Sequence, residues 1–194
     1  MSSELKLTGA SGGNIILQGN DTITTDQTFT FPDTAGTFDR LERAGNILQV
    51  VYGSTGVKVT VSTTTYTPIG LQASITPTST SSKILLLVSV QYQVQQAAES
   101  AGHGTRVKRD STVIKTPIQG GDGPYEVWLR ATSSTDVNYY NSLNYQILDT
   151  PSTTSSITYS VEGAGYVSGT TVNYQSQGNT QDQVSTITLI EVAG

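Results

Sequence analysis

The stretch that most restricts the fold is KILLLVSVQYQVQ, residues 83–95. Side chains of a β-strand point alternately to its two faces. One face of this strand carries a large apolar side chain at each position: Ile84, Leu86, Val88, Val90, Tyr92 and Val94. The other face begins with Leu85 and Leu87 and continues with serine and glutamine. The pattern predicts a strand that is buried on both sides at its start and on one side at its end.

The second apolar face of this strand needs a cover. Burying two leucines stabilises a fold by about 3 to 6 kcal/mol, so Leu85 and Leu87 are not expected to face water. A loop, the N-terminal segment or a neighbouring subunit could lie over them. The last strand, VSTITLIEVAG, is also apolar on both faces, which is typical of a central strand or a subunit contact. The candidate subunit-contact residues are therefore Leu85, Leu87, Ile187 and Leu189.

The rest of the chain favours strands over helices. Thr, Val, Ile and Tyr are abundant, and charged residues make up only 13% of the chain, where about 25% is usual. Turn-forming clusters separate short apolar runs at regular spacing. We predict an all-β protein whose residues 46–194 form an antiparallel, jelly-roll-like β-sandwich. The predicted strands lie near 47–52, 57–66, 70–76, 84–95, 104–109, 112–117, 125–131, 142–149, 156–163, 166–173 and 184–192.

Residues 1–45 differ from the sandwich and predict an extended, β-rich N-terminal segment. Within TITTDQTFTF, residues 22–31, one face is almost entirely polar. Such a strand buries too little to be stable alone, so we expect this segment to serve in anchoring or trimerisation. PDTAG predicts a turn, and FDRLERAGN, residues 38–46, predicts a short connecting helix that ends at Gly45.

Charge and composition exclude several function classes. A net charge of −5 and a pI near 4.7 argue against nucleic-acid binding. The cations Arg106, Lys108 and Arg109 are interpreted as a solvated strand edge. No run approaches the ~20 apolar residues of a membrane span, and the N-terminus does not resemble a signal peptide. The chain has no cysteine, so it lacks disulfides and thiolate metal sites.

The search for catalytic residues yields little, and we predict neither an enzyme nor a bound cofactor. The single histidine, His103, lies between glycines and is expected in an exposed turn. Glu126 and Glu162 could form a glycosidase pair, but nothing in their spacing favours it. Asp33 and Asp122 fit turn positions, and a calcium site built from such carboxylates stays open.

Three tyrosines are candidates for contact with a glycan or another partner. Tyr139, Tyr140 and Tyr145 lie close together in VNYYNSLNYQI, after a strand that contains Trp128. Exposed tyrosines beside Asn and Ser could stack on sugar rings. The alternative, which we favour, places Trp128 in the core and the tyrosines along a sheet or subunit contact.

Several stretches resemble structural proteins of tailed bacteriophages, of the type common in phages of aquatic bacteria such as cyanophages. GNIILQGNDTITTDQTFTFPDTAGTF, residues 13–38, resembles a β-rich module that ends in a phrase like FPDTAGTF. Residues 47–94 resemble the start of the C-terminal domain of the same proteins, with LQVV, GLQASITPTSTSSKIL and an alternating strand in order. TITLIEV resembles the closing strand of that domain.

The resemblance implies a homotrimeric virion protein that is made in the host cytoplasm and displayed on the particle exterior. Its implied partners are copies of itself, the major capsid protein or other virion proteins. Our first hypothesis is a capsid decoration, or cement, protein that stabilises the head. The alternative is a short tail fibre or receptor-binding protein that contacts host surface glycans. A polysaccharide-degrading enzyme is the third and least favoured hypothesis.

Overall fold

A computed structural model of the chain divides into two compact units, residues 1–38 and 39–194. The residues that the structure describes are 4–8, 14–18, 43–96, 100–119, 124–130, 137–167, 169–176 and 183–194. In the first unit, β1 (Glu4–Thr8) and β2 (Asn14–Gln18) form an antiparallel hairpin. The alternating stretch at 22–31, the PDTAG turn and Asp33 lie outside the described residues. The anchoring and trimerisation role of residues 1–45 stays a prediction.

The second unit confirms the predicted all-β, antiparallel architecture. Its described part contains no helix, and Ala44 and Gly45, from the end of the predicted connecting helix, form a turn. Across the described part of the chain, no helix is long and apolar enough to span a membrane. The strands are β3 (Ile47–Thr55), β4 (Val59–Val61), β5 (Thr67–Ile75), β6 (Lys83–Gln96), β7 (Ser100–Arg109), β8 (Thr112–Lys115), β9 (Ile118–Gln119), β10 (Pro124–Tyr125), β11 (Val127–Arg130), β12 (Val137–Asp149), β13 (Ile157–Gly165), β14 (Thr171–Tyr174) and β15 (Ser185–Val192).

Two sheets form the sandwich. In the six-stranded sheet, β6 pairs with β12 along one side; along its other side it pairs first with β15 and then with β14. Strand β3 extends the sheet beyond β15, and β4 extends it beyond β14. The five-stranded sheet has the order β11-β7-β13-β5, with β8 also paired to β7. The long strands cross repeatedly from one sheet to the other, which is the connectivity of a jelly roll.

The core lies between the sheets and follows the alternation of the sequence. Side chains of β6 at even-numbered positions, from Ile84 to Val94, are all buried. Ile187 and Leu189 are also completely buried, inside the chain's own core. This corrects their assignment as subunit-contact residues, because they have no surface to offer a second copy. The opposite face of β15, with Ile190 half-buried, is the one that points outward.

The hydroxyl-rich stretch before β6 is fastened to the core by a buried carboxylate. Thr78 donates to Glu191 Oε1 from its backbone N–H at 2.7 Å and from its hydroxyl at 2.8 Å, and Gln49 Nε2 donates to Oε2 at 2.5 Å. Burial alone raises the pKa of Glu191, but the hydrogen bonds from Gln49 and Thr78 outweigh it and leave the pKa lowered. The polar run is thus a loop held over the end of the sandwich.

Candidate assembly surface

In its described part, the outer face of the six-stranded sheet carries no charged side chain apart from Lys83, the exposed first residue of β6. We call this surface the neutral face. The chain as a whole contains 10 basic and 15 acidic residues, so the low charge of this face is a local property. The pairing register places the residues of the face in cross-strand rows. Its members are Val50, Tyr52, Ser54, Thr60, Leu85, Leu87, Ser89, Gln91, Gln93, Gln95, Asn138, Tyr140, Ser142, Asn144, Gln146, Leu148, Thr171, Asn173, Thr186, Thr188 and Ile190.

One end of the neutral face is apolar. A single row crosses four strands and contains, in spatial order, Val50, Ile190, Leu85 and Leu148; we call it the apolar row. Val50 is 59% exposed and Leu148 is 60% exposed, and Tyr52 in the next row is 62% exposed. Covering each such side chain contributes about 1.5–3 kcal/mol. The isolated chain therefore leaves an apolar surface in water that a partner could cover.

Beside the apolar row lies an open depression of about 310 Å³. It runs over β15, β6 and β12 and is lined by hydroxyl, amide and apolar groups. The lining residues include Leu87, Ser89, Asn144, Gln146, Thr186 and Thr188. With no charged group among them, the depression favours a neutral side chain or backbone over an ionic ligand.

The other end of the neutral face is a network of amides, which we call the amide ladder: Gln93, Gln95, Asn138 and Asn173. Asn173 Nδ2 donates to Gln93 Oε1 at 3.1 Å and to Gln95 Oε1 at 2.9 Å. Both glutamines in turn donate to Asn138 Oδ1, at 3.2 and 3.0 Å. Thr60 donates its hydroxyl to Asn173 Oδ1 at 2.7 Å. These bonds satisfy the nearly buried Gln93 and Asn173 within the chain itself.

Leu85 and Leu87 lie on the neutral face, half-buried, as the alternation indicates. The three candidate tyrosines are not brought together. Tyr140 is 39% exposed on the neutral face, where its hydroxyl accepts a hydrogen bond from Gln93 at 2.9 Å. Tyr139 and Tyr145 point to the opposite side and pack against the core. Of the three candidates, only Tyr140 is therefore exposed on the neutral face, and they do not form a stacking platform.

Trp128 is 52% exposed on β11, in the other sheet, which corrects its interpretation as a core residue. Sequence reasoning also missed four residues of the assembly surface, Val50, Tyr52, Leu148 and Ile190, as contact candidates. Their alternation is visible in ILQVVYGST and in the strand that ends at Asp149. The sequence does not show that these runs pair in register beside Leu85, and the row exists only through that register.

His103 is not an exposed turn residue, which corrects the expectation. It lies in β7, completely buried between the sheets, with its ring centroid 4.0 Å from that of Tyr92 and Nδ1 3.2 Å from the Tyr174 hydroxyl. Burial, and secondarily the charge of Lys115, lowers the pKa of His103 to about 3. Burial also lowers the pKa of Lys115, to about 8, although its Nζ forms an ion pair with Glu126. The imidazole is enclosed and neutral at physiological pH, whereas Lys115 and Glu126 are partly exposed.

The two candidate glycosidase carboxylates are engaged separately. Glu126 Oε2 accepts from the Thr105 backbone N–H at 2.9 Å and from its hydroxyl at 2.6 Å. Glu162 pairs with Arg106 at 2.5 Å and Lys108 at 3.3 Å on the outer face of the five-stranded sheet. Because Thr105 and Arg106 are consecutive in a strand, the two carboxylates are bound on opposite sides of the sheet.

The basic cluster is not a strand edge, because β7 lies between β13 and the pair β11 and β8. Its third cation, Arg109, makes two hydrogen bonds to Asp149, at 2.9 and 2.8 Å, and Asp149 also accepts from the Tyr159 hydroxyl at 2.7 Å. Within the described ranges, no group of three or more His, Cys, Asp or Glu residues could hold a metal ion. Asp122 lies outside those ranges.

No protein-family model matches the chain, and no curated protein matches it. Three solved structures show a weak structural likeness. A structure of infectious bursal disease virus Gt strain has a TM-score of 0.35 at 13% identity and covers 94% of this chain and 48% of its own. A structure of the Gx strain of the same virus has a TM-score of 0.30 at 13% identity and covers 94% of this chain and 48% of its own. A crystal structure of a VP2 subviral particle of that virus has a TM-score of 0.28 at 11% identity and covers 92% of this chain and 51% of its own.

The chain thus spans about half the length of the chains that it matches. TM-scores in this range do not establish a shared topology.

Proposed function

We propose that this chain is a structural protein of a tailed-phage virion. It is made in the host cytoplasm and displayed on the particle exterior as a homotrimer that decorates and stabilises the capsid. The observation that carries the proposal is the neutral face, where Val50, Tyr52 and Leu148 are each more than half exposed. Apolar surface of this kind on a folded sandwich marks a contact with other protein.

Two further features support a virion role. The jelly-roll connectivity recurs in viral capsid domains, although it also occurs in lectins, so the fold alone does not decide the function. The resemblance of residues 31–38 and 47–94 to tailed-phage structural proteins favours the viral reading. The implied partners are other copies of the chain and the major capsid protein.

We propose no catalytic role, no cofactor and no nucleic-acid or membrane partner. His103 is enclosed between the sheets and its Nδ1 faces Tyr174, so a dissolved substrate cannot reach it. Glu126 pairs with Lys115 and Glu162 with Arg106, so each carboxylate is already engaged by a cation of the chain itself. The chemistry available at the surface is that of contact rather than reaction.

Electron microscopy of particles labelled with antibody against this chain tests the location. We expect label over the head, and we expect purified protein to raise the temperature at which undecorated heads release their DNA. Heat-denatured protein is the control. Particles without label, or label with no effect on the heads, would contradict the decoration proposal.

The alternative of a short tail fibre that contacts host glycans is favoured by one feature, the exposed Tyr140 among the uncharged amides of the neutral face. In that case the label lies at the tail, and the protein binds host cells. A Tyr140→Ala variant then loses that binding, whereas Tyr52→Ala, a change at another exposed tyrosine, retains it.

A further inference from the structure

Strand β12 forms a long open edge of the six-stranded sheet. Its 13 residues pair with β6 in unbroken register, from Val137 opposite Gln96 to Asp149 opposite Ile84. Among the strands that the structure describes, β6 is its only partner. The other edge of β12 is therefore available to pair with a further strand.

The hydrogen bonds of Gln91 show which groups line that edge. Gln91 donates its backbone N–H to the Ser185 hydroxyl at 2.9 Å and accepts from Gln175 N–H at 3.0 Å, both away from β12. Ser142 lies opposite Gln91, so this pair is not hydrogen-bonded between β6 and β12. The backbone of Ser142 therefore points to the open edge, where its N–H donates to Asn141 Oδ1 at 2.8 Å in the isolated chain. By the same alternation, the backbone N–H and C=O groups of every second residue of β12 point to the open edge: Asn138, Tyr140, Ser142, Asn144, Gln146 and Leu148.

The other outer strands have features that discourage pairing, and β12 has none of them. Strand β3, at the opposite edge of the six-stranded sheet, has a register shift near its start, where it pairs with the end of β15. Strand β5 contains Pro68 and Gly70, the latter at φ 79°. Strand β4 has only three residues, and the four-residue β11 ends in Arg130. Natural sheets protect their edges with prolines, cations, bulges or short strands. Strand β12 has no proline, no cation and no register shift.

We propose that β12 is a docking edge at which a strand from a second copy of this chain extends the six-stranded sheet. The inference rests on the proposed homotrimer and names its contact. The charge distribution favours another copy as the occupant. Each chain carries a net charge of −5, yet β12 is uncharged up to Asp149, whose charge is paired with Arg109. Two acidic chains can therefore meet along this edge without repulsion.

The edge also continues into the apolar row through Leu148, so one contact would cover both. In a trimer with cyclic symmetry, β12 of each copy meets a different strand of the next copy, and the ring closes without leaving an open edge.

The test compares two pairs of lysine substitutions in the full chain by sedimentation velocity at micromolar concentration. Asn144→Lys with Gln146→Lys places two cations beside the edge. The matched control, Gln72→Lys with Ser74→Lys, adds the same charge at exposed positions of the other sheet. We expect the dissociation constant of the β12 variant to rise by about 100-fold or more, while the control assembles as the wild type does.

Asn144→Pro separates the edge from the neutral face. Its N–H points away from β6, so proline removes an edge donor without breaking the existing ladder; circular dichroism verifies the fold. We expect this variant to dissociate, and hydrogen exchange of residues 137–149 to be slow only in the wild-type assembly. If the proline variant still assembles, the docking edge is wrong, but the proposed homotrimer is not contradicted. A wild-type chain that stays monomeric overturns both, whereas a failure to find label on particles bears on the virion role alone.

Discussion

The outer faces of the two sheets differ although both sheets bury one shared core. The neutral face has exposed Val50 and Leu148 and, in its described part, no charged side chain apart from Lys83 at the start of β6. The outer face of the five-stranded sheet, here called the charged face, holds Glu162 between Arg106 and Lys108. Alternation along the strands explains the inner faces equally well in both sheets. The two sheets therefore differ in the charge and apolar exposure of their outer faces.

In the proposed assembly, the neutral face meets protein and the charged face meets water. Partly exposed ion pairs contribute little to stability but keep a surface soluble. A face with a single charged side chain, Lys83, and with exposed Val50, Tyr52 and Leu148 has the opposite property, since it is stabilised by contact. The chain thus has the distribution expected of a subunit that assembles through one sheet and presents the other.

The largest expected effect comes from placing charge on the apolar row. Val50→Glu with Leu148→Glu puts carboxylates at both ends of the row, where they would be desolvated in any contact. We expect the dissociation constant of the assembly to rise about 1,000-fold, equivalent to ~4 kcal/mol. The monomer should keep its fold because both positions are exposed. Sedimentation velocity over a dilution series measures the change.

The control for this experiment places the same charges on the other sheet, as Gln72→Glu with Ser74→Glu. If the two pairs of substitutions weaken assembly equally, net charge rather than the neutral face governs association. The difference between the neutral face and the charged face would then not explain assembly.

Acidification should weaken the core while leaving the neutral face chemically unchanged. The pKa of His103 is about 3 in the fold and about 6.5 when unfolded, so the unfolded chain takes up its proton first as the pH falls. The free energy of unfolding therefore decreases between pH 6.5 and pH 3, by about 3 kcal/mol at pH 4. Denaturant titrations at several pH values measure this loss.

Because the chain contains a single histidine, proton NMR can follow His103 without assignment. We expect its ring signals to remain those of neutral imidazole from pH 8 to pH 4. A titration midpoint near pH 6.5 in the folded protein would show that the ring is accessible to water and would contradict the burial of His103 between the sheets.

The amide ladder should respond more moderately. Asn173→Ala removes the group that joins Gln93, Gln95 and Thr60, and it leaves polar atoms unpaired where little water reaches. We expect a loss of about 2 kcal/mol in the free energy of unfolding. Asn144→Ala, which removes an exposed amide from the same face, is the control and should cost less than about 0.5 kcal/mol. Equal losses would mean that the ladder is not a structural unit.

The sequence predicted the parts of the fold that depend on alternation. The buried face of β6 and the outward position of Leu85 and Leu87 follow directly from period two. The assignment of Ile187 and Leu189 failed for a related reason. A strand that is apolar on both faces does not reveal which face meets the core, and that choice depends on its pairing with β6.

The remaining errors came from tertiary context. His103 was expected in a turn because glycines flank it, yet β7 begins at Ser100 and those glycines lie where other chain segments approach closely. A Cβ at Gly104 would lie 2.8 Å from Pro117, and one at Gly102 would meet the backbone of Val127. Glycine there reflects crowding rather than a turn. The exposure of Trp128 likewise depends on its place in the outer strand β11.

The smallest expected effect lies on the charged face. Glu162→Gln removes the carboxylate shared by Arg106 and Lys108, and both cations are partly exposed to water that can replace part of the interaction. We expect the free energy of unfolding to fall by about 1 kcal/mol in dilute buffer and by less in high salt, where the pair is screened. Assembly should not change, because no contact of the neutral face involves this group. A Glu162→Gln protein that unfolds normally but fails to assemble would show that the charged face also meets a partner, and the division of roles between the sheets would have to be abandoned.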